Sequence, residues 1–173
     1  MDWKLLTKKR EATQGLPPGK EDFAWVTNTV TLVYGQRDAI LVDWLVATGK
    51  NLTSVYVNHT HGDHFFGLKL VLDIFPNARA YATVSGVAGM RNQIDPDFVR
   101  SFLEPRFPSQ VPSHLVTPQI LEGDALYLER EELRVIELGH TDTADSTALH
   151  VPSLGLVISG DAVQHSSLSC RVR

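Results

Sequence analysis

The sequence predicts a single α/β domain, on three observations. Runs rich in β-branched and aromatic residues recur at positions 24–34, 39–42, 55–57, 125–128, 133–138, 146–151 and 156–158, a strand signature. Between them Phe65, Leu68, Leu72 and Phe75 repeat at helical spacing. The chain has 173 residues, 43% of them hydrophobic and 21% charged, which suits one domain with a sizeable core.

Composition narrows the function classes. A net charge of −4 argues against a general phosphate-backbone binder, so no nucleic-acid partner is expected. Cys170 is the sole cysteine, which excludes an intrachain disulfide and permits a reducing compartment. No apolar run approaches the roughly 20 residues that cross a bilayer. The charged stretch from Met1 to Arg10 lacks the apolar centre of a signal peptide. No membrane association and a cytoplasmic location are the expectations.

Taken in order, residues 1–22 read as an irregular N-terminal segment ending in the turn-rich Gly15-Leu16-Pro17-Pro18-Gly19-Lys20. Residues 24–34 and 39–42 form a hairpin around Gly35-Gln36-Arg37-Asp38. The link 44–51 allows barely two helical turns, with Gly49 as its C-cap. Strand 55–57 feeds a His-rich loop, and a helix is expected from about Asp63 until Pro76-Asn77 closes it, its positive end near the loop. Residues 78–82 give a short strand. Thr83 caps a helix to about Arg91. Asp95 caps a further helix with Pro96 in its first turn, reaching Phe102 or Leu103. Pro105, Pro108, Pro112 and Pro118 make 104–118 a loop, with Arg100 and Arg106 as solvated surface residues. The remaining strands pair across the charged turn 129–132 and across Pro152-Ser153-Leu154-Gly155. Two of them end beside chemistry-bearing residues, His140 and Asp161, and strand ends deliver ligands to one rigid rim.

The chemistry concentrates in His59-Thr60-His61-Gly62-Asp63-His64. His59 and His61 are two apart, so they point to opposite sides of a regular strand. They converge on one ion only if the chain turns, and Gly62 supplies the freedom to turn. Asp63 and His64 leave in other directions and suit a second ion. Imidazole with carboxylate is a zinc donor set, with iron or manganese as further candidates.

This segment resembles the metal-binding motif of the metallo-β-lactamase superfamily, and two later stretches match in order. Gly139-His140-Thr141 resembles the loop carrying the family's third histidine. Ser159-Gly160-Asp161 resembles the strand end carrying its bridging aspartate. The resemblance implies an αββα sandwich, here incomplete at the C-terminal side, with 162–173 as an atypical tail. It further implies His59, His61 and His140 on one ion, Asp63, His64 and Asp161 on a second, and Asp43 supporting the site from behind. Asp142, Asp145 and Ser146 are expected to hold the loop through bonds to its backbone. His114, His150, His165 and Cys170 have no partner motif.

The implied reaction is hydrolysis by a zinc-bound hydroxide, with Asp63 orienting or deprotonating the water. A small amide, lactone or thioester is the expected substrate. Two other readings stand beside it: a mononuclear iron oxygenase of the same superfamily, and a catalytically impaired or non-catalytic truncated relative. The superfamily usually continues past Asp161 with further strands and helices and a final histidine, so a weaker second ion and self-association through an uncovered sheet edge are expected.

Overall fold

The computed structural model describes residues 1–8, 28–42, 50–163 and 169–171. Two sheets lie against one another. The first has the order β1 (Asp2–Lys8), β2 (Asn28–Tyr34), β3 (Asp38–Val42), β4 (Asn51–Tyr56), β5 (Arg79–Ala82) and β6 (Gln119–Ile120). It is mixed: β1, β2 and β3 run antiparallel, while β3 through β6 are parallel. The second is antiparallel, with the order β11 (Ser169–Arg171), β10 (Leu156–Ile158), β9 (Ser146–Val151), β8 (Glu131–Gly139) and β7 (Ala125–Leu128).

Alternation along β3 shows how the layers are built. Ile40 and Val42 join Val33 and Tyr56 in a core shared with Leu133, Leu149, Val151, Leu156 and Ile158 of the second sheet. Ala39 and Leu41 point the other way, into a second core with Leu68 and Val71 of α1 (Leu68–Ile74). A parallel strand buried on both faces reads as an unbroken apolar run, which is why β3 carries no polar residue after Asp38. A third cluster packs α2 (Val84–Gln93) over the first sheet through Val57, Phe65, Ala82, Val87 and Met90. On the second sheet the outward side chains Tyr127 and Ile136 are exposed. Among the described residues no helix is long and apolar enough to cross a membrane.

Several expectations need correction. Asp2–Lys8, read as irregular, forms β1 and pairs along its length with β2; its alternating charged and apolar residues suit an edge strand. The helix after the His-rich loop does not begin at Asp63. Gly62–His64 forms a single 3-10 turn closed by Phe65 N and Phe66 N on Gly62 O, and α1 begins only at Leu68, beyond the ligands. The phenyl ring of Phe66 folds over Gly62, where an added Cβ would meet it at 2.3 Å. That close approach ties the turn to Gly62 before the helix starts.

Residues 104–106, read as loop, continue the helical path. Asp95 caps α3 (Pro96–Phe98) by accepting from Asp97 N and Phe98 N. A π turn at Val99–Leu103 then leads into α4 (Glu104–Arg106). Pro105 has no N–H to donate and its ring crowds the preceding turn, and the wider turn, with Glu104 N on Val99 O, accommodates it. Arg100 pairs with Asp97, and Arg106 stacks on Phe102. Strand β8 starts within the charged turn, at Glu131 rather than after it. Thr83 caps α2 as expected, accepting from Gly86 N. Asp43, most of the 44–51 link and His165 lie outside the described residues.

Candidate metal centre

Three strand ends meet at one rim. The loop after β4 brings His59, His61 and His64; the loop after β8 brings Asp142; the turn after β10 brings Asp161. Strands β8 and β10 both run antiparallel to β9, so their C-terminal ends share an edge. The two sheets are joined there. Thr147, at the start of β9, donates through N and Oγ1 to the carbonyl of Asn58, at 2.9 and 2.8 Å. Its hydroxyl also bonds the Tyr56 hydroxyl at 2.8 Å. Buried backbone ends need partners, and this exchange satisfies one while fixing the entry to the His-rich loop.

Two groups of metal-ligating atoms result. Those of His59, His64 and Asp161 lie within 4.8 Å of one another, as do those of His59, His61 and Asp142. His59 is common to both, its ring 4.0 Å from that of His64 and 5.1 Å from that of His61, centroid to centroid. Asp142 Oδ2 is 2.7 Å from His61 Nδ1 and 3.3 Å from His59 Nε2. Asp161 Oδ2 is 3.3 Å from His64 Nε2. The His64 hydrogen bond is the main cause holding the Asp161 carboxyl below its ordinary pKa, against the opposing effect of burial.

These residues fit a divalent ion. Donors placed about 2.0–2.2 Å from a tetrahedral zinc are roughly 3.3 Å from each other, the separation of Asp142 Oδ2 from His59 Nε2 and of Asp161 Oδ2 from His64 Nε2. The donor types, imidazole nitrogen and carboxylate oxygen, suit zinc and equally iron or manganese.

The site differs from the sequence expectation in its second loop. His140 is exposed and belongs to neither group. At Gly139 the backbone takes a φ of +68° beside a register shift in β8. Thr143 and Ser146 then close a turn, Thr143 N donating to Ser146 Oγ and Ser146 Oγ to Thr143 O, each at 2.9 Å. The turn sets the Asp142 carboxylate over the histidines. Ser146 therefore holds the loop as expected. Asp142 and Asp145 do not: the first faces His59 and His61, and the second accepts from Thr60 Oγ1 at 3.0 Å. Nothing in the spacing of Gly139-His140-Thr141-Asp142 distinguishes which side chain turns inward.

Asp63 is also in neither group; its carboxylate stands 3.8 Å from His64 Nε2, more than half exposed. His114 and His150 lie outside both groups as well. Asn58 had no chemical signal of its own, being neither a ligand type nor part of the repeated pattern, yet its side chain contacts His59 at 2.7 Å.

Comparison with known proteins bears on the family and the fold. A family model described as the metallo-beta-lactamase superfamily matches residues 24–168. Hydroxyacylglutathione hydrolases from Francisella tularensis subsp. novicida and subsp. holarctica are 38% identical over 60 residues, 30% of this chain and 24% of theirs. The matched segment is thus about a quarter of those relatives' length. Among solved structures, a metallo-beta-lactamase family protein from Thermus thermophilus aligns with a TM-score of 0.62 and 20% identity, covering 96% of this chain and 61% of that one. A metallo-beta-lactamase from Pontibacter korlensis gives 0.58 and 13%, covering 90% and 71%. The BLEG-1 B3 metallo-beta-lactamase gives 0.57 and 18%, covering 81% and 69%. At these identities the structures share the fold alone.

Proposed function

Because the chain belongs to the metallo-beta-lactamase superfamily, we propose that it is a metal-dependent hydrolase of a small amide, lactone or thioester. The observation that carries this reading is the convergence of His59, His61, His64, Asp142 and Asp161 from three separate loops. His59, through its Nε2, with His61 and Asp142 would hold one ion, and His64 with Asp161 beside it would offer donors to a second. When bound, a zinc ion supplies Lewis-acid chemistry, acidifying water and polarising the scissile carbonyl.

The chain's own residues do the rest. Asp63, more than half exposed beside His64, would accept the proton of an attacking water and orient it. His59, nearly excluded from solvent, and the bonds from Thr147 to Asn58 O keep the ligand rim from shifting during the reaction. A thioester substrate is favoured among the three classes. The support is the sequence match to proteins named hydroxyacylglutathione hydrolase, a name that denotes an acylated thiol.

Iron is the second reading, and one observation favours it. Each of the two groups is a pair of histidines with one carboxylate, the donor set of non-haem Fe(II) oxygenases. The deciding experiment is metal analysis of protein purified aerobically and anaerobically. It is paired with turnover of thioesters, lactones and lactams by the zinc-loaded and Fe(II)-loaded chain. Zinc uptake with hydrolysis supports the proposal; iron retention with oxygen consumption replaces it; uptake of neither metal ends both.

A further inference from the structure

We propose that Asn58 is a positioning residue for this metal centre: its side-chain carbonyl holds His59 as the Nδ1-protonated tautomer and so aims Nε2 at the ion. The inference rests on the metal-binding reading above and adds to it the group that sets the buried histidine ligand.

The geometry is specific. His59 Nδ1 lies 2.7 Å from Asn58 Oδ1, and both residues are 2% exposed. A carboxamide oxygen only accepts, so the imidazole must donate, and the proton is on Nδ1. Nε2 then carries the lone pair, and Nε2 is the nitrogen that faces Asp142 Oδ2. Water, which in an exposed site lets the two tautomers exchange, is kept away from the pair. A hydrogen bond from the remote ring nitrogen is the usual way a protein sets the orientation and basicity of a ligating histidine.

Asn58 is itself held from two sides. Its backbone carbonyl receives both bonds from Thr147. Its side-chain nitrogen packs over Gly160, where an added Cβ would come within 1.8 Å of Nδ2. Gly160 also has a φ of +52°, a conformation that glycine adopts without strain. Asp161 follows directly. One buried side chain therefore touches both ligand-bearing loops, bonding to the histidine of one and packing on the glycine that sets the aspartate of the other. The reversed amide would present Nδ2 to His59, move the ring proton to Nε2, and remove the lone pair an ion needs. The tautomer of His59 is thus the direct observable.

The experiment uses long-range proton–nitrogen correlation spectra of histidine-labelled, metal-free protein at about pH 8.5, where an ordinary imidazole is neutral. Zinc affinity is measured by chelator competition, and thermal unfolding serves as the check on folding. The wild-type chain is expected to show His59 with its proton on Nδ1. Asn58→Ala is expected to lose that signature and to bind zinc on the order of 10–100-fold more weakly. Asn58→Asp keeps an acceptor at the same place and is expected to restore both, which a role in packing alone would not do. Zinc uptake by a wild-type chain whose His59 is protonated on Nε2 overturns the role of Asn58. So does an Asn58→Ala chain that matches the wild type in spectrum and affinity. Absence of zinc uptake by the wild-type chain overturns the metal reading itself, and this role with it.

Discussion

The Thr60 hydroxyl donates to Asp145 Oδ1 at 3.0 Å across 85 residues of sequence, joining the loop that carries His59 and His61 to the loop that carries Asp142. Thr60 is buried between the two histidines, and α2 presses on its other side: a Cβ at Gly89 would meet Thr60 Cγ2 at 2.3 Å. Thr60→Val keeps that packing and replaces only the hydroxyl, by a methyl that cannot donate, leaving the Asp145 carboxylate short of a donor. A loss of about 1–2 kcal/mol of stability is expected, with zinc binding weakened several-fold because the two ligand loops are no longer tied. Denaturant unfolding and zinc competition on the same variant check both parts. Unchanged zinc affinity would mean that the loops hold their places without this bond.

Asp142 and His140 make a sharper test, since the sequence resemblance favours one and the geometry the other. Asp142 Oδ2 is within 3.3 Å of two imidazole nitrogens, whereas His140 is exposed. Asp142→Ala is therefore expected to lower zinc affinity at least tenfold, a ligand-loss effect, and His140→Ala to leave it nearly unchanged. His61→Ala, which removes a ligand under either assignment, is the positive control. The opposite ranking would show that the loop after Gly139 rearranges around the ion and returns His140 to the third-ligand position.

How much of this was legible in the sequence depends on whether a feature is local. The His-rich loop, the caps at Thr83 and Asp95, and the β9–β10 turn at Pro152–Leu154 were readable because each depends on neighbours in sequence. Strands β8 and β9 were readable for the same reason, from their runs of β-branched and aliphatic residues. Strand β1 was missed because an edge strand with charged residues on one face carries little apolar signal, and its partner β2 is distant in sequence. The inward turn of Asp142 and the grip of Asn58 on His59 are tertiary. They follow from a bulge at Gly139 and from the passage of Gly160 over Asn58, neither of which leaves a periodic trace.

Gly160 is the position where backbone and packing constraints coincide. Alanine there would strain a left-handed backbone and drive a methyl carbon into the Asn58 amide. A cost of about 3 kcal/mol is expected, together with weakened zinc binding, because Asn58 and Asp161 are displaced at once. Gly123→Ala is the natural comparison. It has a φ of +81° but nothing within 4 Å of the added carbon, so it carries the backbone cost alone. Thermal unfolding of the two variants should separate them, with Gly160→Ala the more damaged. Equal losses would mean that the crowding at Asn58 is relieved by a small shift.

Glu129 gives the last prediction, far from the metal centre. It sits in the β7–β8 turn with a φ of +58°, and its Oε1 accepts from Arg37 N at 2.8 Å and Asp38 N at 3.2 Å in the β2–β3 turn. One carboxylate thus links the two sheets at this turn, resting on Gly35, where a Cβ would meet it at 2.6 Å. The hydrogen bonds from Arg37 N and Asp38 N are the main reason its pKa falls below the ordinary glutamate value. A carboxyl whose folded pKa is depressed binds its proton more readily when unfolded. Its contribution to stability is therefore present above the ordinary value, about 4.3, and is lost as pH falls through the depressed folded value. Glu129→Gln keeps an acceptor of the same shape without the charge. The wild-type chain should exceed this variant in melting temperature at neutral pH, and the gap should close as the pH is lowered below the carboxylate range. Measuring both chains together cancels the titration of every other carboxylate. A gap that stays constant from neutral to acid pH would assign the effect to shape rather than to the ionised hydrogen bonds.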